Sequence, residues 1–202
     1  MPRIAGRIDL SKNEAILDAA VEVLTERGVS ASMEEIARRA GVSKQTIYNH
    51  YGSKAELIRA LMARRVHEIT ASLETPGAAE NPREALAAFA RILLEMAMTS
   101  RAVAFMRMAM LDATRLADMG VAVFEAGPRA SRRKLAQFLA LETAAGRLNC
   151  PDPQEAAEFF AGMVLGSYQT ASLLGVDTTL DDFRIDRLAR EAAHRFLRAY
   201  AP

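Results

Sequence analysis

The chain has 202 residues, half of them hydrophobic, so it can bury one sizeable core or two smaller ones. Its formal net charge of +1 excludes a uniformly basic protein that coats nucleic acid, although the first 65 residues carry eleven basic and eight acidic side chains. The single cysteine, Cys150, excludes an intrachain disulfide and favours a reducing compartment.

Neither a secretory segment nor a membrane span is predicted. The first residues, MPRIAGRIDLSKNE, lack an apolar run, and the most apolar stretch, 161–176, is interrupted by Ser167, Gln169 and Thr170. We therefore expect a soluble, cytoplasmic protein with no membrane partner, in which the thiol of Cys150 is incidental.

The N-terminal residues predict an arm followed by a helix. Arg3 and Arg7 belong either to a disordered tail or to an arm that reaches a neighbouring minor groove. Ser11 and Glu14 have the spacing of a capping box, in which a serine oxygen and a glutamate carboxylate satisfy free backbone amides reciprocally. Apolar residues then recur at helical spacing until Gly28, where we expect this helix to end.

The stretch Ser32–Leu57, SMEEIARRAGVSKQTIYNHYGSKAEL, predicts two short helices, a tight turn between them and the start of a third. Its first residue and Glu35 form another capping box. Ala37 is small enough for a close helix crossing, Gly41 lies where a helix ends in a left-handed residue, and Ile47 is the apolar contact between the helices. This spacing predicts a helix-turn-helix.

The second short helix has the character of a DNA-reading helix. Ser43 caps it, and its length suits entry into a major groove end-on. Its exposed side chains match base edges, with Lys44 suited to guanine, Gln45 to adenine and the Thr46 methyl group to thymine.

The same stretch resembles the DNA-binding motif of the TetR family of bacterial transcriptional regulators. The matching residues are Ile36-Ala37, Ala40-Gly41-Val42-Ser43, Thr46-Ile47-Tyr48, His50-Tyr51, Ser53-Lys54 and Leu57. Tyr51 stands where that family usually has phenylalanine, which keeps the aromatic ring. The motif covers about a quarter of the chain, and the remainder agrees with the family in length and helical pattern only.

The resemblance implies contacts with double-stranded DNA. Tyr48, Asn49 and His50 are expected to contact phosphates, as their counterparts in the family often do. Lys54 is expected to add a phosphate contact from the first turn of the next helix. The full set of predicted DNA-binding residues is Ser32, Ser43, Lys44, Gln45, Thr46, Tyr48, Asn49, His50 and Lys54. For Tyr48 and Tyr51, a purely structural role in the core is the alternative.

The rest of the chain is also predicted to be helical. A helix at 54–73, opened by a capping box of Ser53 and Glu56, links the helix-turn-helix to the C-terminal part of the chain. Further helices are predicted at 82–98, 101–119 with a break near Asp112, 120–141 with Pro128 inside, 153–174 and 182–200. The chain is therefore predicted to be all-α with about nine helices. We expect a DNA-binding domain at 11–57 and an effector-binding and dimerisation domain at 81–200.

Family resemblance places a small-molecule cavity among the middle helices and a dimer interface on the last two. A methionine-rich set suits an adaptable apolar pocket, and the candidates are Met96, Phe105, Met106, Met108, Met110, Phe124 and Met163. Ordinary core residues are the alternative. The last two helices combine aromatic and small residues, which permits close packing with a second copy or packing within one chain.

No enzyme is predicted. Ser131 and Lys134 have the spacing of a serine–lysine nucleophile motif, but no companion motif accompanies them. The three histidines lack metal-ligand spacing, and no glycine-rich phosphate loop is present, so no metal or cofactor is expected.

The sequence thus predicts a homodimeric transcriptional regulator, interpreted as a repressor that a small apolar effector releases from a palindromic operator. A ligand-independent regulator of the same fold and a protein-interaction adaptor are the alternatives. The operator, the effector and the regulated genes do not follow from the residues.

Overall fold

The computed structural model describes residues 10–113 and 117–202. These residues form α-helices joined by short turns and contain no β-strand, which confirms the predicted all-α class. The helices are α1 Leu10–Arg27, α2 Met33–Arg39, α3 Lys44–Tyr51, α4 Lys54–Thr70, α5 Pro82–Met98, α6 Ser100–Ala113, α7 Ala117–Phe124, α8 Ala130–Ala144, α9 Pro153–Leu165, α10 Tyr168–Leu173 and α11 Asp182–Ala199.

The chain divides into two compact units. The N-terminal unit comprises the described residues up to Arg64 together with those between Ala104 and Ala126. The C-terminal unit comprises Arg65–Val103 and Gly127–Pro202. In this division, residues 104–113 of α6 and all of α7 belong to the unit that holds the helix-turn-helix.

Fully buried aliphatic side chains form the core of the N-terminal unit. Ile16, Ile36 and Ile47 come from α1, α2 and α3, so the three helices share one apolar centre. Phe105 of α6 and Val123 of α7 join the same cluster. Burial of each large side chain contributes about 1.5–3 kcal/mol, which makes this core the main reason for the fixed arrangement of α2 and α3.

Three phenylalanines lie at the centre of the C-terminal unit. Phe160 of α9 packs between Phe89 of α5 and Phe196 of α11, with ring centroids 6.1 and 5.0 Å apart. All three side chains are fully buried. The predicted start of α5 is confirmed, since Asn81 caps it with Pro82 at the first helical position.

Two predicted details at the starts of helices differ from the structure, and a third prediction is not tested by it. The first helix already includes Leu10, so Ser11 lies inside it rather than at the position before it. The box at Ser53 is only half formed: its oxygen accepts the backbone N–H of Glu56, whereas the Glu56 carboxylate pairs with Arg59. The proposed arm with Arg3 and Arg7 lies outside the described residues.

Two predicted helices are interrupted for backbone reasons. The helix expected at 153–174 ends at Gly166, whose φ of 48° and ψ of −136° suit glycine and divide it into α9 and α10. The helix expected at 120–141 contains the π-helical turn Glu125–Arg129, which includes Pro128. A proline has no N–H to donate, and the wider turn accommodates its ring between α7 and α8.

Candidate nucleic-acid interface

Local hydrogen bonds fix the turn between α2 and α3. The Ser32 oxygen accepts the backbone N–H of Glu35 at 3.1 Å, and the backbone N–H of Ser32 donates to the Glu35 carboxylate at 3.0 Å. Gly41 has a φ of +68°, and the N–H of Val42 donates to the carbonyl of Ala37 at 2.9 Å. The predicted capping box and left-handed glycine are both confirmed, so the entry angle of α3 is set by nearby residues.

The predicted cap of α3 is also confirmed. The Ser43 oxygen accepts the backbone N–H of Thr46 at 3.0 Å, and the two hydroxyl oxygens are 2.8 Å apart. The helix runs from Lys44 to Tyr51. Ile47 is fully buried on the inner face, whereas Lys44 and Gln45 are exposed.

An ion pair crosses from α2 to α3 on the exposed side of the motif. The Lys44 ammonium lies 2.5 Å from the Glu34 carboxylate and 5.6 Å from the centre of the Tyr48 ring. The Tyr48 hydroxyl donates to the same carboxylate at 3.4 Å. Hydrogen bonding between the partners raises the pKa of Lys44 and lowers the pKa of Glu34. Both groups are therefore charged at neutral pH.

A second contact connects two other exposed side chains of α3. The Gln45 amide nitrogen donates to the Asn49 side-chain oxygen at 2.5 Å. The residues are one helical turn apart, so both amides lie on one face. That arrangement aligns two donor–acceptor groups of the kind that reads adenine.

The C-terminal end of α3 is tied to α1. The hydroxyl of Tyr51 donates to the Asn13 side-chain oxygen at 2.5 Å, and His50 Nε2 lies 3.2 Å from the same atom. Tyr51 is only 7% exposed, so its role is structural, and burial, followed by the nearby charge of Glu14, raises its pKa to about 12. His50 packs edge-on against the Tyr51 ring and remains exposed.

Lys54 makes a structural contact within the protein that the sequence analysis does not predict. Its ammonium donates to the Ala31 carbonyl at 3.0 Å, which connects the start of α4 to the segment before α2.

The exposed residues of α3 thus lie together. Two residues that hold α3 side chains in place are not among the predicted DNA-binding residues. Asn13 orients the end of α3, and Glu34 holds Lys44. Asn13 lies on α1, 38 residues before Tyr51, and Glu34 lies on α2, 10 residues before Lys44. The motif spacing carries no signal for either contact.

The predicted effector residues are divided between the two units. Met96 and Met163 belong to the C-terminal unit, where Met96 packs against the core and Met163 is 44% exposed. Phe105 is buried in the N-terminal core, and Met108 packs against it. Met110 and Phe124 are 53% and 48% exposed, and Met106 is half-buried.

Metal binding, thiol reactivity and membrane insertion have little support among the described residues. Within residues 10–113 and 117–202, no group of three or more His, Cys, Asp or Glu side chains could hold a metal ion. Burial raises the pKa of the Cys150 thiol, which disfavours the reactive thiolate. The same described residues include no helix with the length and apolarity needed to cross a membrane.

An all-α chain with a capped helix-turn-helix, whose second helix exposes polar side chains, has the structure of a helix-turn-helix transcriptional regulator. Comparison with known families agrees: the profile of "Bacterial regulatory proteins, tetR family" matches residues 16–61, and that of "AefR-like transcriptional repressor, C-terminal domain" matches residues 84–202. The second match alone spans more than half of the chain. The chain therefore belongs to the TetR family of transcriptional regulators, whose members are not enzymes.

Individual relatives support the same family. The flavonoid-responsive regulator FrrA is 33% identical, with a TM-score of 0.71 over 96% of this chain and 99% of its own. A TetR regulator from Agrobacterium tumefaciens is 26% identical, with a TM-score of 0.75 over 96% of both chains. The transcriptional regulator SrpR from Pseudomonas putida is 42% identical over 57 residues, which cover 28% of this chain and 27% of SrpR. Such sequence matches span less than half of the curated relatives' length.

Proposed function

We propose that this protein binds a two-fold-symmetric DNA operator as a homodimer, represses transcription there, and leaves the operator when a small apolar effector binds. The exposed face of α3 carries the proposal, since Lys44, Gln45 and Asn49 project from a helix whose opposite side is anchored by Ile47. One such helix reads few base pairs, so high specificity requires a second copy.

The DNA claim is tested by selecting bound duplexes from a random pool and measuring affinity by fluorescence anisotropy. The expected product is a palindrome whose half-sites are separated by about one helical turn or a multiple of it. Selection of asymmetric sites, or of no site, would contradict the proposal.

The predicted dimer interface lies on the last two predicted helices, 153–174 and 182–200. Exposed apolar residues on α9, which belongs to the first of these, support dimerisation there. Phe159 and Met163 are 57% and 44% exposed and lie one turn apart. Gly162 lies between them in the helix, and an added Cβ there would meet nothing within 4 Å in this chain. Mid-helix glycine costs about 1 kcal/mol relative to alanine. Close approach of a second copy would explain it.

Sedimentation measurements test the dimer. Met163→Glu should produce monomers, because a carboxylate in an apolar interface loses hydration without a partner. The matched control, Val121→Glu, alters a residue of α7 that is 59% exposed and should leave the dimer intact. A wild-type protein that sediments as a monomer would refute the dimer.

The profile matched to residues 84–202 is that of a repressor, and FrrA is described as flavonoid-responsive, which supports repression and an effector. The helix α4 supports communication, since its residues up to Arg64 belong to one unit and those from Arg65 to the other. Arg65 donates to the Met96 carbonyl at 2.9 Å, so displacement at the end of α5 would act on α4. Effector binding is thus proposed to shift the population of α4 orientations.

A panel of flat apolar molecules, flavonoids included, would test this response. Binding should raise the melting temperature and release a labelled operator over the same concentration range. If ligands that stabilise the protein left operator affinity unchanged, the effector mechanism would be wrong.

A further inference from the structure

Glu34 lies on α2, yet it contacts two residues of the reading helix. Its carboxylate is 2.5 Å from the Lys44 ammonium and accepts the Tyr48 hydroxyl at 3.4 Å. The Tyr48 ring lies beneath the same ammonium, 5.6 Å away. The three side chains therefore form a closed set, which we term the Lys44 clamp.

We propose that Glu34 is a specificity-determining residue, which restrains Lys44 from binding DNA phosphates non-specifically while leaving it able to read a base. The inference rests on the proposed function, because it concerns the same DNA-reading surface. It adds a residue of α2 that does not belong to the base-reading set.

The charge of Lys44 and its hydrogen-bond donors act on DNA in different ways. Attraction to phosphate depends on net charge, and the pair of Lys44 with Glu34 is neutral overall. Recognition of guanine depends on N–H donors directed at O6 and N7. An ammonium has three donors, so one bond to Glu34 leaves two for a base edge. The clamp thus weakens binding to random duplexes more than it weakens binding to the operator.

Exposure supports a role at the DNA surface. The side chains of Lys44 and Glu34 are 66% and 44% exposed, so the pair lies open to solvent beside the base-reading residues. An exposed ion pair adds little stability, so the contact between Glu34 and Lys44 is not needed to hold the fold. Glu35, the neighbouring acid, already forms the capping box of α2.

Glu34→Gln tests the inference in the full-length protein. It removes the charge and keeps an amide that can accept from Lys44. Glu191→Gln is the matched control, because Glu191 forms a comparable exposed pair with Arg195 at 2.6 Å on α11. For each variant and the wild type, affinity for the selected operator and for random duplex is measured over a series of salt concentrations.

We expect Glu34→Gln to raise affinity for random duplex about threefold per reading helix, hence about tenfold for two copies. The slope of log affinity against log salt should steepen by about 0.9 per helix. Operator affinity should change less, so the ratio of specific to non-specific binding falls. Glu191→Gln should leave both affinities and the salt slope unchanged.

A Lys44→Met background shows whether Glu34 acts through Lys44. In that background, Glu34→Gln should raise random-duplex affinity by much less than tenfold and leave the salt slope unchanged, because only the repulsion between Glu34 and phosphate is then removed. Persistence of the full effect, or equal gains on operator and random duplex, would overturn the proposal. A wild-type protein that prefers no sequence would instead refute the proposed function, and the clamp's role with it.

Discussion

Replacement of Lys54 separates a structural contact from a predicted DNA contact. The Lys54 ammonium is 3.0 Å from the carbonyl of Ala31, a residue only 2% exposed. Lys54→Ala leaves that carbonyl without this donor. Since a hydrogen bond from a charged donor is worth about 1.5–3 kcal/mol and Lys54 is half-buried, we expect unfolding free energy to fall by about 1–2 kcal/mol.

The DNA effect has a different size and assay. Each lost phosphate contact should reduce the salt slope by about 0.9, or about 1.8 for a dimer with two copies of Lys54. The loss should be uniform across sequences, because phosphates carry no base information. Urea unfolding followed by circular dichroism gives the stability, and anisotropy against salt concentration gives the slope.

Lys54→Gln is the discriminating variant. Glutamine retains an N–H donor for the Ala31 carbonyl but has no charge. The variant should therefore keep most of the unfolding free energy and still show the reduced salt slope. If Lys54→Gln destabilised the protein as much as Lys54→Ala, the reasoning about the hydrogen bond would be refuted. An unchanged salt slope in both variants would refute the phosphate contact.

Three other sets of substitutions probe the site and the helices. Gln45→Ala should change base preference at one operator position, seen by repeating the selection, with the salt slope unchanged. Because the pKa of Tyr51 is raised to about 12, the wild type should lose stability as pH rises from about 10 to 12, and Tyr51→Phe should lose about 1–2 kcal/mol less over that range in urea unfolding. Gly166→Ala should destabilise the fold by at least about 1 kcal/mol, since its φ is 48°, whereas Gly162→Ala should leave the monomer as stable or more so and weaken the dimer in sedimentation measurements.

Interactions between near neighbours in the chain could be predicted from the sequence. The capping box at Ser32 and the caps at Ser43 and Asn81 join residues three apart, and the left-handed turn at Gly41 needs only one residue type. Each is set by backbone geometry within one helical turn, so residue type and spacing predict it. The same spacing at Ser53 gives only half of a capping box, because the Glu56 carboxylate pairs with Arg59 instead.

Contacts between helices could not be predicted in this way. Asn13 with Tyr51 and Glu34 with Lys44 depend on how α1 and α2 pack against α3, and many other polar residues have equally suitable chemistry. Phe105 shows the same limit for apolar residues. Its hydrophobicity predicts burial, but the core in which it is buried depends on tertiary packing.

The contacts within the reading helix bear on where affinity would come from. Lys44, Gln45 and Thr46 are bonded to Glu34, Asn49 and Ser43 in the described structure. If these side chains read bases, binding either shares those bonds or exchanges them for bonds of similar strength, so each correct contact gains little net free energy.

A wrong base, however, leaves a polar group unpaired and costs about 1–3 kcal/mol. The exposed side chains of α3 are therefore better suited to reject incorrect sequences than to hold the correct one. In the proposed dimer, most of the affinity would then come from phosphate contacts and from the α3 of the second copy. On this reasoning, loss of the dimer should weaken operator binding more than any single base-reading substitution.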